Sequence, residues 1–464
     1  MKIVVIAVLA IMFSSRASAQ VAFEYIGGAS FKTAIAATEN NSEYVIVGSK
    51  GTKEVLFVVL DKDGNLIEKK AVSVLDTLVG VNAIYFLDSI YWLVGSVYSC
   101  LDCSFRDISL WVGRFSTNFE MISSSFEPLA TECFNLQSRS FLVDSSFVTT
   151  GYYESLNGNQ ELLVKYTPST NQYFAKYSDD VPSLASDILS RKDSSGYVLY
   201  RATKLEYLDS LFNVVDKKNH PNSFSFIQGS ILPKSDSTFV VFSEVVDSNS
   251  RYFLFGQIDR SYNLMSWDTL YSAPKAGLSG VWNSTAHNDA LVESPDGHYY
   301  VGGTHHYAPT QVRPFLAKYD QNLNQVWSFK YGTPGRLYYM LGMKETSDNG
   351  CMLYGLRNLD GQSREAYILK VNADGVLTGE TIIPMSDLVA CYPNPAKDFI
   401  QFDLPNITQK VSLELIDLSG RVVLAQKINH LEQIDISFLP KAMYGYRVMN
   451  RYGELVGMGK LVVE

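Results

Sequence analysis

A short apolar segment, usually closed by glycine or another small residue, recurs seven times: YVIVG (44–48), YWLVG (91–95), FVTTG (147–151), YVLYR (197–201), FVVFS (239–243), YVGG (300–303) and CMLYG (351–355). Each copy is followed by an alternating stretch that runs into an acidic or polar turn, as in FVVLDKDGN (57–65), WVGRFSTNF (111–119) and LAKYDQNLN (316–324). The apolar residue entering that turn falls at 60, 115, 166, 207, 258, 319 and 371, in steps of 55, 51, 41, 51, 61 and 52. A period of this length narrows the possible architectures. Each unit must be one supersecondary block that buries its faces only against its neighbours.

Another short strand and a tight turn precede each apolar segment, best seen in AIAATENNSE, LVESPDGH and GMKETSDNG. One more alternating stretch follows the polar turn, as in QVWSFKYG (325–332). Each unit therefore holds about four strands, with Asp-Gly, Asn-Gly and Ser-Gly supplying positive-φ turn positions. No helical period stands out between residues 21 and 383, and 29 Tyr and 25 Phe favour strands. The pattern predicts an all-β chain with a seven-bladed β-propeller over residues 20–383. A pair of β-sandwiches is the competing arrangement, but it would carry seven strands per roughly 100 residues and no 50-residue period. The fourth unit, with its 41-residue step, fits the period least well. QVAFEYIGG (20–28) resembles the last strand of a unit and is expected to complete the final blade, with VLTGETII a rival for that place.

The N-terminus, MKIVVIAVLAIMFSSRASAQ, combines Lys2, an apolar run from Ile3 to Phe13 and the small-residue site Ala17-Ser18-Ala19. That predicts an export signal over residues 1–19. The run is shorter than the about 20 residues a membrane span needs, and no later segment is long and apolar enough. Removing Lys2 and Arg16 takes the net charge from −9 to −11, which argues against nucleic-acid and anionic-membrane partners. Among five cysteines, Cys100 and Cys103 in Cys-Leu-Asp-Cys suit a small local disulfide in an exported protein. Cys133, Cys351 and Cys391 supply no second pair for zinc, and Cys351 reads as a buried free thiol. No metal or cofactor is expected.

Antiparallel strands put alternate connections at opposite ends. The short turns SPDG, TSDNG, DKDG and NADG share one face; SVYSCLDCSFRD (96–107), YYESLNGNQE (152–161), YSAPKAGLSGVWNSTAHND (271–289) and THHYAPTQVRP (304–314) share the other. Binding residues concentrate on loops held by a rigid scaffold, so the long-loop face is the expected binding face. Its most suggestive residues are His305, His306 and Tyr307, with Trp282, Arg313, Arg336 and Tyr338 brought near by adjacency of blades. Aromatic and arginine side chains there suit stacking on sugars or peptide side chains, and packing of the loop is the plainer alternative. Adjacent histidines point to opposite sides of an extended chain and make a poor metal pair. Asp61-Lys62-Asp63-Gly64 starts like a calcium loop but has Val72 at the twelfth position, so it reads as a plain turn. The chain carries no G-x-S-x-G, H-E-x-x-H or phosphate-cradling glycine loop.

After Ile383 the repeat stops, and residues 384–391 read as a linker. CYPNPAKDF (391–399) begins a new unit, because two prolines preclude a continuous central strand. FIQFDL, VSLELIDLSG, RVVLAQKI, IDISFLP, YGYRVMN and LVGMGKLVVE then predict a small immunoglobulin-like β-sandwich over 392–464. This stretch resembles, over about residues 388–464, the type A C-terminal sorting domain of proteins exported by the type IX secretion system of Bacteroidetes. Tyr392-Pro393-Asn394-Pro395 matches its opening motif and Asp417-Leu418-Ser419-Gly420-Arg421 its central hairpin. Leu439-Pro440-Lys441 with Met443-Tyr444 matches the late turn before Arg447-Val448, and Gly459-Lys460-Leu461-Val462 matches the terminal strand. Ala442 stands where Gly is commonest, Gly445 where an apolar residue is usual, and Glu464 in place of the frequent Lys. The resemblance implies recognition by the outer-membrane translocon, cleavage of the tail, and release or attachment to surface lipopolysaccharide. Five Asp-Ser/Thr triplets, with hydroxyls at Thr77, Ser89, Ser210, Ser237 and Thr269, resemble the O-glycosylation sequence of exported proteins of that phylum.

The resemblance says nothing about the activity of the cargo. The expected function is a non-catalytic surface or extracellular propeller that binds a glycan, peptide or protein. The alternatives are a glycan-active hydrolase or lyase with acids at the propeller mouth, and a structural surface protein.

Overall fold

The computed structural model describes residues 23–26, 33–40, 42–49, 54–74, 78–98, 106–155, 158–178, 185–191, 195–201, 204–220, 225–235, 237–246, 250–274, 284–285, 289–308, 311–332, 336–359, 364–376, 390–403, 411–417, 421–429, 431–449 and 455–464. The expected export signal, Cys100, Cys103, Trp282, Gly420 and the side chains of His306 and Tyr307 lie outside the described residues. Among the described residues every regular element is a strand.

The first strand, β1 (Phe23–Ile26), stands apart from those that follow it. β2 (Ala34–Glu39), β3 (Glu43–Ser49), β4 (Glu54–Asp61) and β5 (Leu66–Ser73) form a four-stranded antiparallel sheet in chain order. Next comes a seven-stranded sheet: β6 (Leu78–Leu87), β7 (Ile90–Tyr98), β8 (Arg106–Phe115), β9 (Met121–Val143), β10 (Ser146–Ser155), β11 (Gly158–Thr167) and β12 (Gln172–Ser178). β9 is 23 residues long and is shared: its first part pairs with β8, from Met121↔Phe115, and its second with β10, from Val143↔Ser146. Two further four-stranded sheets follow in the same order. They are β13 (Ala185–Ser190), β14 (Gly196–Arg201), β15 (Lys204–Asp209) and β16 (Val214–Asn219), then β17 (Ser225–Pro233), β18 (Thr238–Val246), β19 (Ser250–Asp259) and β20 (Leu264–Pro274). β21 (Ser284–Thr285) and β22 (Leu291–Glu293) both pair with β23 (Tyr299–Ala308), which continues to β24 (Gln311–Tyr319) and β25 (Gln325–Lys330).

The last repeat supplies β26 (Arg336–Glu345), β27 (Cys351–Leu359) and β28 (Arg364–Val371). Its fourth strand is β1, running antiparallel to β28 from Phe23↔Lys370 to Ile26↔Tyr367. Of the two rivals for that place, the chain start takes it. The first strands touch one another in a closed series, β2–β6–β9–β13–β17–β22–β26 and back to β2. This is a β-propeller arrangement, with the sheets radiating from an axis.

The burial pattern explains why the second and third strands read as continuous apolar runs. β4 is buried from Val55 to Leu60, on both faces, whereas β5 at the rim is exposed or half-buried throughout. Alternate residues serve different neighbours. Val45, Val47, Phe57 and Val59 pack with Leu93, Trp111 and Phe115 of the next sheet; Tyr44, Ile46, Leu56 and Val58 pack with Tyr354 and Ile368 of the last. A sheet covered on both faces needs no polar alternation.

The glycine that closes the recurring segment has a steric cause. The first strands carry β-bulges opposite it, between Ala34 and Ala36, Val81 and Ala83, and Met340 and Gly342. A Cβ on Gly95 would lie 2.2 Å from the Gly80 carbonyl oxygen, and one on Gly355 2.1 Å from that of Tyr339. The polar turns repeat as well. Asp61, Asp209, Asp259 and Asp320 each accept at Oδ1 from the amide of the Asn four residues on, at 2.8 Å, and at Oδ2 from its side-chain amide. Gly64, Phe212, Tyr262 and Leu323 take the positive φ that this turn requires.

The tail holds two sheets. One comprises β29 (Ala390–Tyr392), β30 (Phe399–Asp403) and β33 (Ile434–Asp435); the other comprises β31 (Val411–Ile416), β32 (Val422–Ile428), β34 (Met443–Met449) and β35 (Leu455–Val462). Ile400, Phe402 and Ile434 of the first share one core with Leu413, Leu415, Val448 and Leu461 of the second.

Candidate functional site

The expected binding loop 304–314 is a hairpin extension instead. β23 runs to Ala308 and β24 starts at Gln311, with His305 paired to Arg313. The alternating residues of this stretch prolong the ladder because each new pair satisfies two more backbone groups. His305 is buried, its ring stacked on Tyr271 at 4.9 Å and 26°. It is therefore a packing residue of the β23 strand and not a loop side chain turned to solvent.

The structure does bring Arg313, Arg336 and Tyr338 together. Arg313 donates to the Arg336 carbonyl, and its guanidinium lies over the Tyr338 ring, 5.8 Å from the centroid. Arg357 covers the same ring at 5.9 Å. Tyr338 is fully buried, so its ring serves the core and not an incoming ligand. Its hydroxyl accepts from Arg357 Nη1 at 3.2 Å and donates to Glu24 Oε1 at 3.4 Å. Arg357 further holds Glu365 through Nε and Nη2, both at 3.1 Å, and Glu24 at 3.6 Å; Arg336 meets Glu365 at 3.6 Å. Glu24, Arg357 and Glu365 were missed by sequence reasoning, since nothing local marks them as partners. The cluster binds β1 to β26, β27 and β28, and so belongs to the closure of the ring.

Toward the axis lies a cavity of about 250 Å³, lined by Thr38 and Glu39 of β2, Tyr85 of β6, Ser140 of β9 and Lys344 of β26, with Asp289 ahead of β22 and Tyr354 of β27. Lys344 pairs with Glu345 at 2.6 Å. Burial works against the Lys344 charge, but Glu345, Asp289 and Glu39 outweigh it and hold the ammonium above its ordinary pKa. Glu39 accepts from the Ser347 amide and hydroxyl at 2.8 and 2.7 Å and also pairs with Lys62. Burial, with Asp289 adding to it, keeps the Tyr85 phenol neutral well above its usual range, and it donates to the Ser140 carbonyl at 3.0 Å.

Two free cysteines are described. Cys351 is fully buried, as the sequence suggested, and burial raises its thiol; burial likewise pushes the Cys391 thiol up to about 12. Asp61 spends its carboxylate on the Asp63 and Asn65 amides and the Asn65 side chain. Of the five triplet hydroxyls, Ser89, Ser210, Ser237 and Thr269 lie in exposed residues, and Thr77 is outside the described ones.

In the tail, the opening motif meets the terminal strand. Asn394 Nδ2 donates to the Lys460 carbonyl at 2.7 Å, and Asn394 Oδ1 accepts from the Val462 amide at 2.9 Å. Tyr392–Pro393 and Asn394–Pro395 are cis peptide bonds, and Tyr392 to Pro395 are all exposed. Arg421 donates from its amide and Nε to the Asp417 carboxylate at 3.0 and 3.2 Å. Gly459 lies against Tyr446, whose ring a Cβ would meet at 2.5 Å.

Residues 390–464 match the family described as the secretion system C-terminal sorting domain. No curated protein matches the chain. Among solved structures, the chain is similar to one in the crystal structure of the mitotic checkpoint complex, with TM-score 0.41 and 11% identity over 80% of this chain and 99% of that one. It is also similar to the Neurospora crassa Pan2 WD40 domain, with TM-score 0.39 and 12% identity over 76% and 90%. The Myceliophteria thermophila Cps50 (Swd1) β-propeller domain matches with TM-score 0.39 and 8% identity over 72% and 96%.

Proposed function

We propose that the protein is an exported cargo whose tail is read by the type IX outer-membrane translocon, and that it delivers a seven-bladed propeller to the cell surface or the medium. The match of residues 390–464 to the sorting family carries this reading. On it, residues 1–19 are removed at the inner membrane and the tail at the outer one. Truncation after residue 387 should leave the propeller in the periplasm, and grafting 388–464 onto a periplasmic reporter should export it. Normal surface delivery of the truncated chain would sink the assignment.

Once delivered, the propeller acts as a binding module for a glycan, peptide or protein. Glu39 at the cavity wall is already engaged by Ser347 and Lys62, and Glu345 next to the lining residue Lys344 is engaged by it, which supports this. The hydrolase or lyase alternative draws on Glu39 and Asp289 at the cavity wall. Loss of glycan turnover in Asp289→Asn, with glycan binding retained, would favour it.

A further inference from the structure

We propose that the groove between the β13–β16 and β17–β20 sheets binds an anionic oligosaccharide, one bearing carboxylate or sulfate groups. The inference rests on reading the propeller as a binding module. It places the ligand on the short-turn face, opposite the long connections, and in the fourth repeat, the one that departs most from the period.

The groove measures about 770 Å³. That is within the size range of ligand pockets and larger than the axial cavity. Its floor is apolar: Val198, Tyr207 and Phe239, with Val215 at the edge. Val198, Tyr207 and Phe239 are buried members of one core cluster, so they fix the base of the groove, and contact with a ligand falls to the residues on its walls. Arg191, Lys218 and Arg260 stand on its walls with Asp216, which pairs with Lys218 at 3.0 Å, and Asp259 precedes Arg260 in the chain. The chain as a whole is −9, so three cations at one groove run against its overall charge.

Both arginines and Asp216 act on the Tyr207 hydroxyl in the floor, together with Asp259. The Tyr207 hydroxyl donates to the Arg260 carbonyl at 2.8 Å. Burial pushes that phenol up to about 12, with Arg260 and Arg191 acting to lower it and Asp216 and Asp259 to raise it. The Asp259 carboxylate is committed to the Ser261 and Asn263 amides and the Asn263 side chain.

The main chain around the groove favours a saccharide over an extended acidic peptide. The turn amides are already used: Arg191 donates to the Gly196 carbonyl, Lys234 and Ser235 to that of Thr238, and Ser261 to Asp259. A peptide strand needs such backbone groups as partners. What the groove offers instead is side chains, namely guanidinium and ammonium groups and the hydroxyl residues Ser190 and Ser261 over an apolar floor. Arginine pairs with carboxylate or sulfate oxygens through a planar fork, which suits anionic sugars.

Residues 20–464 should be titrated with uronic-acid and sulfated oligosaccharides, their neutral analogues and an acidic peptide. Anionic sugars should bind, more weakly as salt rises, with the neutral analogues at least about tenfold weaker. Arg191→Gln and Arg260→Gln should each weaken binding by about tenfold. Lys218→Glu should weaken it further without shifting the melting temperature, which separates lost binding from lost fold. The proposal is overturned if neutral sugars or the peptide bind as well, if the variants bind unchanged, or if no anionic sugar binds. Tight binding of another ligand that ignores all three variants would remove the groove and leave the binding-module reading standing.

Discussion

Asn394 clasps the last strand of the tail through Lys460: its side-chain amide donates to the Lys460 carbonyl at 2.7 Å while its oxygen takes the Val462 amide at 2.9 Å. Sixty-six residues separate the two. One side chain thus ties the opening motif to the end of the chain, where Ala396 forms a parallel bridge with Val463. Asn394→Ala should lose both bonds, at about 0.5–1.5 kcal/mol each. Hydrogen exchange should quicken at the Ala396 and Val462 amides and leave the propeller amides unchanged. Unaltered exchange at both would show that the clasp contributes nothing.

Gly445 departs from the sorting-family pattern, and the structure leaves room for a side chain there. The nearest atom to an added Cβ is the Ile416 carbonyl oxygen, at 3.9 Å. The residue lies mid-strand in β34, where glycine costs roughly 0.5–1 kcal/mol relative to alanine. Gly445→Ala should therefore stabilise the tail by about that amount, read as a raised denaturation midpoint for tail amides. A lowered midpoint would refute it.

Gly355 should behave in the opposite way. A Cβ there would sit 2.1 Å from the Tyr339 carbonyl oxygen, so the bulged first strand must move. Gly355→Ala is expected to destabilise the propeller by about 3 kcal/mol or more, visible in its melting temperature.

Arg357 joins Glu24, Tyr338 and Glu365 across the seam of the ring. Arg357→Met should leave Glu365 and Glu24 poorly paired and cost about 2–4 kcal/mol. The loss should appear first as proteolysis near β1. A variant that melts lower yet protects its N-terminus would place the stabilisation elsewhere.

Lys370 is fully buried and meets Asp348 at 2.8 Å. Burial tends to raise the Asp348 carboxyl, but hydrogen bonds from Lys370, Thr346 and the Gly350 amide outweigh it, and its pKa is held below the ordinary 3.8. A depressed carboxylate gives stability that is present above the unfolded value and lost as pH falls through the folded one. Asp348→Asn should lower the melting temperature at pH 7 and flatten its decline below about pH 4. Parallel pH profiles for the two proteins would contradict this.

Much of the architecture was legible because it repeats. The recurring segments all became second strands and the following stretches third strands. At Gly48, Gly95 and Gly355 the glycine that closes the segment faces a bulge in the first strand, a backbone constraint that sequence registers as composition alone. The Asp-to-Asn turns were equally visible as text, in DKDGN and DQNLN, but their shared hydrogen bonding was not. The binding face was harder to read. THHYAPTQVRP looked like a loop because it is polar, yet its alternation fits a strand pair, and His305 faces Tyr271 from a neighbouring sheet.

By itself, then, the sequence determined the strand period, the all-β class and the secretion tail, since each depends on residues close together in the chain. Only the tertiary structure decided that β1 and not VLTGETII completes the last sheet, that Arg357 reaches Glu24, and that Arg191, Lys218 and Arg260 surround one groove. Those relationships join residues far apart in the chain, and which of them meet is set by how the sheets stack around the axis.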